Sequence, residues 1–443
     1  LKLRFLDTTH ISRLNITWRA ALLLTLIVAS DILASETEID QEELQQTHES
    51  LLVEAPLTPS KPSINAANNK SNTLKQPIRS ESVSQSGMNN TTQKGPIAQS
   101  LPQSALPQSD EQFALKILGT EIPPGTFTRL AWRPGHSLEG LASQAPVLIV
   151  HGKKPGPKLC ITAAVHGDEL NGIEVVRRLV YSLKAEELQG TVIAVPIVNI
   201  QGFHRNSRYL VDRRDLNRYF PGNENGSLAS RIAGSFFEQV INHCTFLVDV
   251  HTGSFYRSNL PQLRADLQDS EVLKLAEGFG SIVVIHSSGA QGTLRHAAVN
   301  SGVPAVTLEL GGPMILEEAA VDQGVKGIIN LLDQLKMSPN KSLWGSPKPL
   351  YYESRWVRVD KGGIFFSRIE LGDTVKKNQV MGTITNPITN QRFILKAPFA
   401  GQVVGLAHNQ VVYPGFGSVH LAIEADKVPL PKKSAGKVED QEE

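Results

Sequence analysis

Three apolar runs in this chain break off at residue types that can bind a metal ion or work beside one. Residues 159–165 lead into His166-Gly-Asp-Glu169, residues 245–250 into His251-Thr-Gly, and residues 305–308 into Glu309-Leu-Gly-Gly312. Short apolar runs closed by turn residues fold as buried strands. In an open α/β sheet, ligands gather in the crevice outside the carboxyl ends of the strands. If the three runs lie parallel or nearly so, two imidazoles and two carboxylates meet at one place.

The surrounding pattern supplies the helices that such a sheet needs. After Glu169, the apolar positions Leu170, Ile173, Val176 and Val180 have helical spacing, and Gly190 precedes an apolar strand over 191–198. Strand, helix, strand is one βαβ unit. Further helices are predicted over 227–240, 271–280 and 322–335, and further strands over 145–151 and 281–285. A change of period follows. Short strands are predicted at 356–359, 363–366, 379–384, 393–395, 401–404 and 419–422, separated by turn residues at roughly even intervals. That spacing predicts a small all-β barrel or sandwich.

At 443 residues the chain exceeds the usual span of one core, which favours two folded domains with extensions. Lys+Arg 44 against Asp+Glu 43 gives a formal net charge of +1, so no basic excess points to nucleic acid. The N-terminus carries Lys2, Arg4, Arg13 and Arg19 before an apolar stretch at 20–29, with small residues at Ala29-Ser30 and Ala34-Ser35. This reads as an export signal over 1–34, or as an N-terminal anchor if it is not cleaved, and places the protein in the periplasm or outside the cell. Between Trp18 and Phe113 there is no aromatic residue. Residues 35–112 are therefore expected to be a disordered linker, unable to bury enough apolar surface to offset their ordering entropy. The remaining expected divisions are a catalytic domain at 113–337, a linker at 338–349, a β domain at 350–427 and a disordered tail at 428–443. Two cysteines, Cys160 and Cys244, are too few for a disulfide framework and read as small buried thiols, although an oxidising compartment would let them pair.

Histidine and carboxylate at this spacing suit zinc, with three protein ligands leaving a fourth position for water. Zinc brings the pKa of bound water towards about 7, and a further carboxylate, Glu309, is suited to take the proton and hand it to a leaving nitrogen. His136-Ser-Leu-Glu139 repeats the His-x-x-Glu spacing but follows no apolar run, so it reads as a solvated loop. Between the proposed ligands, five arginines lie from Arg205 to Arg218. Arginine can stabilise an oxyanion or grip a carboxylate at two points.

These motifs, His166-Gly-Asp-Glu169, Arg208-Tyr with Asp215-Leu-Asn-Arg218, Asp249-Val-His251-Thr-Gly and Glu309-Leu-Gly-Gly, resemble the succinylglutamate desuccinylase/aspartoacylase family, a branch of the carboxypeptidase-like zinc hydrolases. The resemblance implies a carboxypeptidase-like mixed β-sheet flanked by helices, plus a small C-terminal all-β barrel-sandwich domain. It implies one zinc ion per chain on His166, Glu169 and His251, with Glu309 as general acid/base. Arg208 is implied as the oxyanion group, and Asn217 with Arg218 as the grip on the substrate carboxylate. Five residues separate Tyr209 from Asp215, more than in the aspartoacylases proper, so Arg213 or Arg214 stands as an alternative to Arg208.

The C-terminal strands also resemble lipoyl-type folds, but the hairpin at 386–391 has no lysine to carry a cofactor. The module is expected to wall the mouth of the site or to govern association, including homo-oligomer formation. The first functional reading is a zinc-dependent hydrolase of amides next to a free carboxylate, acting on N-acyl amino acids. The alternatives are an exported carboxypeptidase acting on peptides such as those of the cell wall, a tethered zinc- or ligand-binding protein without catalysis, and an envelope protein that assembles through the β module.

Overall fold

A computed structural model of the chain describes residues 115–134, 144–338, 350–351 and 353–423. The segments expected to be signal, linker and tail, the residues His136 to Glu139 and most of the segment 338–349 lie outside them. No helix among the described residues is long and apolar enough to cross a membrane.

The three apolar runs become β5 (Lys154–Ala163), β7 (Phe246–His251) and β10 (Ala305–Gly311). They are parallel neighbours in one sheet, with β6 (Gln189–Val195) parallel on the far side of β5. Strand β4 (Ala145–His151) joins β6 antiparallel, and β3 (Thr126–Trp132) joins β4. Two short strands, β1 (Leu115–Ile117) and β2 (Thr120–Ile122), form a separate hairpin.

Alternation along the strands sends side chains to opposite faces. Leu159, Ile161, Val248 and Val250 pack on one face with helices α1 (Leu170–Ser182), α4 (Ser270–Glu277) and α6 (Glu318–Gln334). Cys160 and Leu247 pack on the other with α3 (Leu228–Gln239) and α5 (Leu294–Asn300), where Trp132 meets Phe236 edge to face. Helix α2 (Ile200–Phe203) is a single turn. Both faces of the parallel centre are thus covered, which lets its strands be apolar throughout. Ser227 and Asp269 cap α3 and α4 with their side chains.

Strand β9 (Val283–His286) was expected over 281–285, but the strand it pairs with was not predicted. That strand, β8 (Arg257–Ala265), lies antiparallel beside β10, and β9 runs parallel to it. Strand β8 holds Arg257, Ser258, Asn259, Gln262 and Arg264, all buried, together with Pro261. Its sequence lacks apolar alternation because several of these polar side chains line a cavity. Helix α5 was likewise passed over.

The C-terminal region consists of strands and turns. The sheet β16 (Arg392–Lys396), β15 (Val380–Thr385), β13 (Gly363–Ser367), β18 (Gln410–Val412) forms one layer. Strands β12 (Glu353–Arg358), β19 (Gly417–Ile423) and β17 (Gly401–Ala407) form the other, with β14 (Thr374–Val375) beside β17. Phe365, Met381, Val403, Val419 and Leu421 fill the space between. The second layer does not stop at its own edge. Strand β17 pairs with β8, Gly405 opposite Asn259, so the large sheet runs without a break from β3 to β12. Short β11 (Leu350–Tyr351) pairs with β9.

The reading of Cys160 and Cys244 as separate thiols is corrected. They form a disulfide, with Cα atoms 5.6 Å apart. The reason is the adjacency of β5 and β7: Cys160 lies opposite Leu247, within bridging reach of Cys244 just before that strand.

Candidate active site

His166 sits three residues beyond the end of β5. The chain leaves the strand through Ala164, which adopts a left-handed φ of 48°. Gly167 serves close approach: a Cβ there would lie 2.1 Å from the backbone of Gly202 and Phe203. Glu169 precedes the first residue of α1, and its side chain turns towards the imidazoles. His251 is the last residue of β7. Glu309 lies within β10, directly opposite His251 across the ladder.

Three donor side chains converge. His166 Nδ1 is 2.7 Å from Glu169 Oε1, His251 Nδ1 is 2.9 Å from Glu169 Oε2, and the two Nδ1 atoms are 3.2 Å apart. The outer nitrogens both meet carboxylates. His166 Nε2 is 3.0 Å from Asp215 Oδ1, and His251 Nε2 is 2.8 Å from Asp249 Oδ2. Asp249 is itself held by the Thr162 hydroxyl, which donates at 2.6 Å. If each Nε2 donates its proton to its carboxylate, both Nδ1 lone pairs face one another and Glu169. That arrangement calls for a cation between them, and carboxylate–histidine pairs of this kind orient metal ligands.

The electrostatics agree. Burial disfavours charge on His251, yet Asp249 and Glu169 outweigh it and hold the ring well above its ordinary pKa. His166 is raised in the same way, against burial and Arg208, by Glu169 and Asp215. Burial also opposes ionisation of Glu169, but the two histidines hold its carboxyl below the usual range. Asp215 is held low too, with His166 and Arg208 overcoming its burial. A nest of carboxylates that would otherwise draw protons onto the imidazoles is a site suited to a divalent ion. Two nitrogens and one carboxylate match the donor set of catalytic zinc.

Around this centre lies a cavity open to solvent. Arg208, Arg218, Arg257, Arg264 and Arg295 line it, with Glu169 and Glu309 as its acids. Arg208 donates to Asp215 Oδ2 from Nε and Nη2, at 3.2 and 3.0 Å, and its Nη1 lies 3.2 Å from His166 Nδ1. Asn259 Nδ2 donates to Glu309 Oε2 at 3.0 Å, and Arg264 Nε stands 3.3 Å from Glu309 Oε1. Arg295 donates to the Ser287 carbonyl and to Thr307. Its burial and the nearby Arg264 push its pKa down to about 10.

Residues 155–335 match the succinylglutamate desuccinylase/aspartoacylase catalytic domain. This segment belongs to that family. The chain is 28% identical over 255 residues to N-alpha-acetyl-L-2,4-diaminobutyric acid deacetylase of Halomonas elongata, covering 55% of this chain and 74% of the relative. Its fold is similar to the product-bound ectoine utilization protein EutE (DoeB) of Ruegeria pomeroyi, with TM-score 0.62, 22% identity, and coverage of 68% of this chain and 97% of that one. A succinylglutamate desuccinylase/aspartoacylase of Rhodobacter sphaeroides gives TM-score 0.62 at 23% identity, covering 70% of this chain and 98% of that one.

Within this desuccinylase/aspartoacylase fold, the motif residues can be followed one by one. His166, Glu169, His251, Glu309, Arg208, Asn217 and Arg218 all line the one cavity. Arg213 and Arg214 are exposed, and Arg214 pairs with Asp212. They stand outside the site, which leaves Arg208 as the arginine beside the histidines. The side-chain oxygen of Asn217 accepts from Leu294 N at 2.8 Å, at the start of α5. His286 does not line the cavity; it accepts a hydrogen bond from Leu267 N.

Sequence reading gave no role to Asp215, Asp249, Asn259, Arg264, Thr307 or Arg295. A signal existed for Asp249, which precedes His251 by two on a strand and so must share its face. None existed for Asn259 and Arg264, whose strand shows no apolar period. The β module reaches the site through Trp356, which lines the cavity and lies 4.9 Å from the Arg257 guanidinium. Phe416 covers Arg257 at 4.2 Å, and Gly417 O accepts from its Nε.

Proposed function

We propose that this chain is a zinc-dependent amidohydrolase that removes the acyl group from an N-acyl amino acid carrying a free carboxylate. The observation that carries this reading is the meeting of His166, Glu169 and His251 in one cavity with Glu309 and a set of arginines. The deacetylase activity in the name of the Halomonas elongata relative supports it.

His166, Glu169 and His251 would hold the ion. Bound there, zinc supplies Lewis acidity and makes water acidic near neutral pH. Glu309 accepts the proton from the attacking water and delivers it to the departing nitrogen. Asn259 holds one of its oxygens, and Arg264 stands 3.3 Å from the other, so the carboxylate is fixed where it meets the water. Arg208, buried and fixed by Asp215, offers N–H groups where negative charge develops on the scissile carbonyl oxygen. Arg218 beside Asn217 binds the substrate carboxylate, and Arg295 and Arg264 add positive potential deeper in the cavity.

We further propose that the protein works in an oxidising compartment after export. The Cys160–Cys244 disulfide supports this reading, as does the basic and apolar pattern of the N-terminal residues. The domain limits read from the sequence are retained as part of the proposal, with the β module joined to the catalytic sheet.

The test is metal analysis of the purified protein together with a screen of N-acyl amino acids and short peptides. One equivalent of zinc and release of free amino acid from acyl substrates are expected. Metal-free protein with full turnover, or turnover of peptides alone, would overturn the reading.

A further inference from the structure

Five large apolar side chains stand exposed on two turns close to the cavity lining. Phe255 and Tyr256 occupy the turn between β7 and β8, and Met314, Ile315 and Leu316 the turn after β10, with exposures from 41% for Phe255 to 64% for Tyr256. The two turns are joined at their bases by a main-chain hydrogen bond. Gly253 N donates to Gly311 O at 2.9 Å, and Met314 N donates to Asp168 O at 2.8 Å. The second turn therefore hangs from the residue next to the ligand Glu169. The Phe255 ring lies 5.7 Å from the Arg208 guanidinium, and its neighbours Gly253, Ser254 and Arg257 line the cavity.

Keeping these side chains there works against stability in two ways. Phe255, Tyr256 and Met314 hold left-handed backbone, with φ of 55°, 58° and 60°, where glycine or asparagine would sit more easily. They also present apolar surface to water instead of to a core. Contiguous apolar surface beside a pocket marks a binding site, and strained backbone clusters at such sites.

We propose that this rim binds the apolar part of the substrate's acyl group, so that the enzyme prefers acyl chains of several carbons to acetyl. The proposal rests on the amidohydrolase reading above. The arginines inside the cavity take the carboxylate of the amino acid. With the amide at the metal centre, the acyl group is the part of the substrate that remains to face the Asp168 side, where the rim lies. An acetyl group ends one bond beyond the carbonyl carbon and has no need of five apolar side chains. A longer chain running out along Phe255, Tyr256 and Met314 covers them and is covered in turn.

The experiment compares N-acetyl, N-hexanoyl and N-octanoyl forms of L-glutamate, L-alanine and L-2,4-diaminobutyrate, using the full chain loaded with zinc. Partial burial along the rim should raise kcat/KM about twofold per methylene, against about fourfold for complete burial. Tyr256→Asn and Met314→Asn keep the left-handed backbone and the main-chain hydrogen bonds while removing the apolar surface. Each should raise KM for octanoyl substrates several-fold and leave N-acetyl turnover unchanged, which also shows that the variants fold. Equal kcat/KM across chain lengths, or equal losses on acetyl and octanoyl substrates, would overturn the proposal while leaving the amidohydrolase reading intact. If no substrate turns over, that reading fails, and calorimetric titration with N-octanoyl-L-glutamate still decides the rim. Tighter binding than N-acetyl-L-glutamate, lost in Tyr256→Asn, supports it, and equal binding rejects it. Sedimentation with phosphatidylcholine/phosphatidylglycerol vesicles, lost in the same variants without any change in chain-length preference, would make the rim a lipid contact and overturn the assignment.

Discussion

Asp249 and His251 stand two residues apart on one strand, and the carboxylate Oδ2 lies 2.8 Å from the ring Nε2. The strand period alone puts both on one face, and the bond fixes the ring so that Nδ1 points at Glu169. In Asp249→Asn the side chain keeps its shape and loses its charge. Zinc affinity should fall about 10- to 100-fold, as for other outer partners of metal ligands. Competition with a chromophoric chelator measures it, and unchanged affinity would remove Asp249 from the metal site.

Glu309→Gln separates metal binding from catalysis. Asn259 can still hold the substituted side chain, and the three proposed ligands are untouched. Zinc stoichiometry should stay at one while kcat drops by about 10²- to 10⁴-fold, the usual range for a positioned acid or base. Turnover at the normal rate would assign the proton transfer to another group.

The bridge between Cys160 and Cys244 closes a loop of 84 residues and joins the strand that leads to His166 to the segment that leads to His251. Loop-closure entropy for that length corresponds to about 4–5 kcal/mol at most. The double variant Cys160→Ala/Cys244→Ala should unfold at lower denaturant concentration, with a loss of about 2–4 kcal/mol. Wild-type protein should lose a similar amount under strong reductant, and the variant should not respond to reductant at all.

His420 gives stability a pH dependence that can be isolated. It is buried and stacked 4.6 Å from Trp356, and burial together with Arg264 and Arg257 holds its pKa well below the ordinary value. The unfolded chain takes up this proton near pH 6.5, whereas the folded chain stays neutral until more acid conditions. Its contribution is therefore complete above pH 6.5 and is lost as pH falls towards the folded value, at up to about 1.4 kcal/mol per pH unit. His420→Phe retains a stacking ring and cannot titrate. Its Tm should fall less than that of the wild type between pH 7 and pH 5, and equal slopes would contradict the assignment.

The parallel centre of the sheet was legible because β5, β7 and β10 are covered on both faces, so their apolar runs had nothing to interrupt them. The candidate ligands His166, Glu169 and His251 were legible because each sits at or just beyond such a run, and Glu309 because it lies two residues short of a strand's end. Strand β8 was not legible. Its Asn259, Gln262 and Arg264 are buried by the cavity and by β17, partners that no local pattern announces. The disulfide was hidden for a related reason, since it depends on which strands are neighbours. At the end of β5 it is Ala164 that takes the left-handed φ, while Gly167 makes room for the backbone at Gly202.

The ladder between Gly405 and Asn259 limits how this protein can move. With β17 hydrogen-bonded to β8, the C-terminal module cannot swing away from the catalytic strands like a door on a hinge without tearing main-chain bonds. Access to the cavity must then be governed by the turns beside it. Exchange of the module for another would remove a neighbour from the strand that carries Asn259 and Arg264, so the two regions are bound to change together.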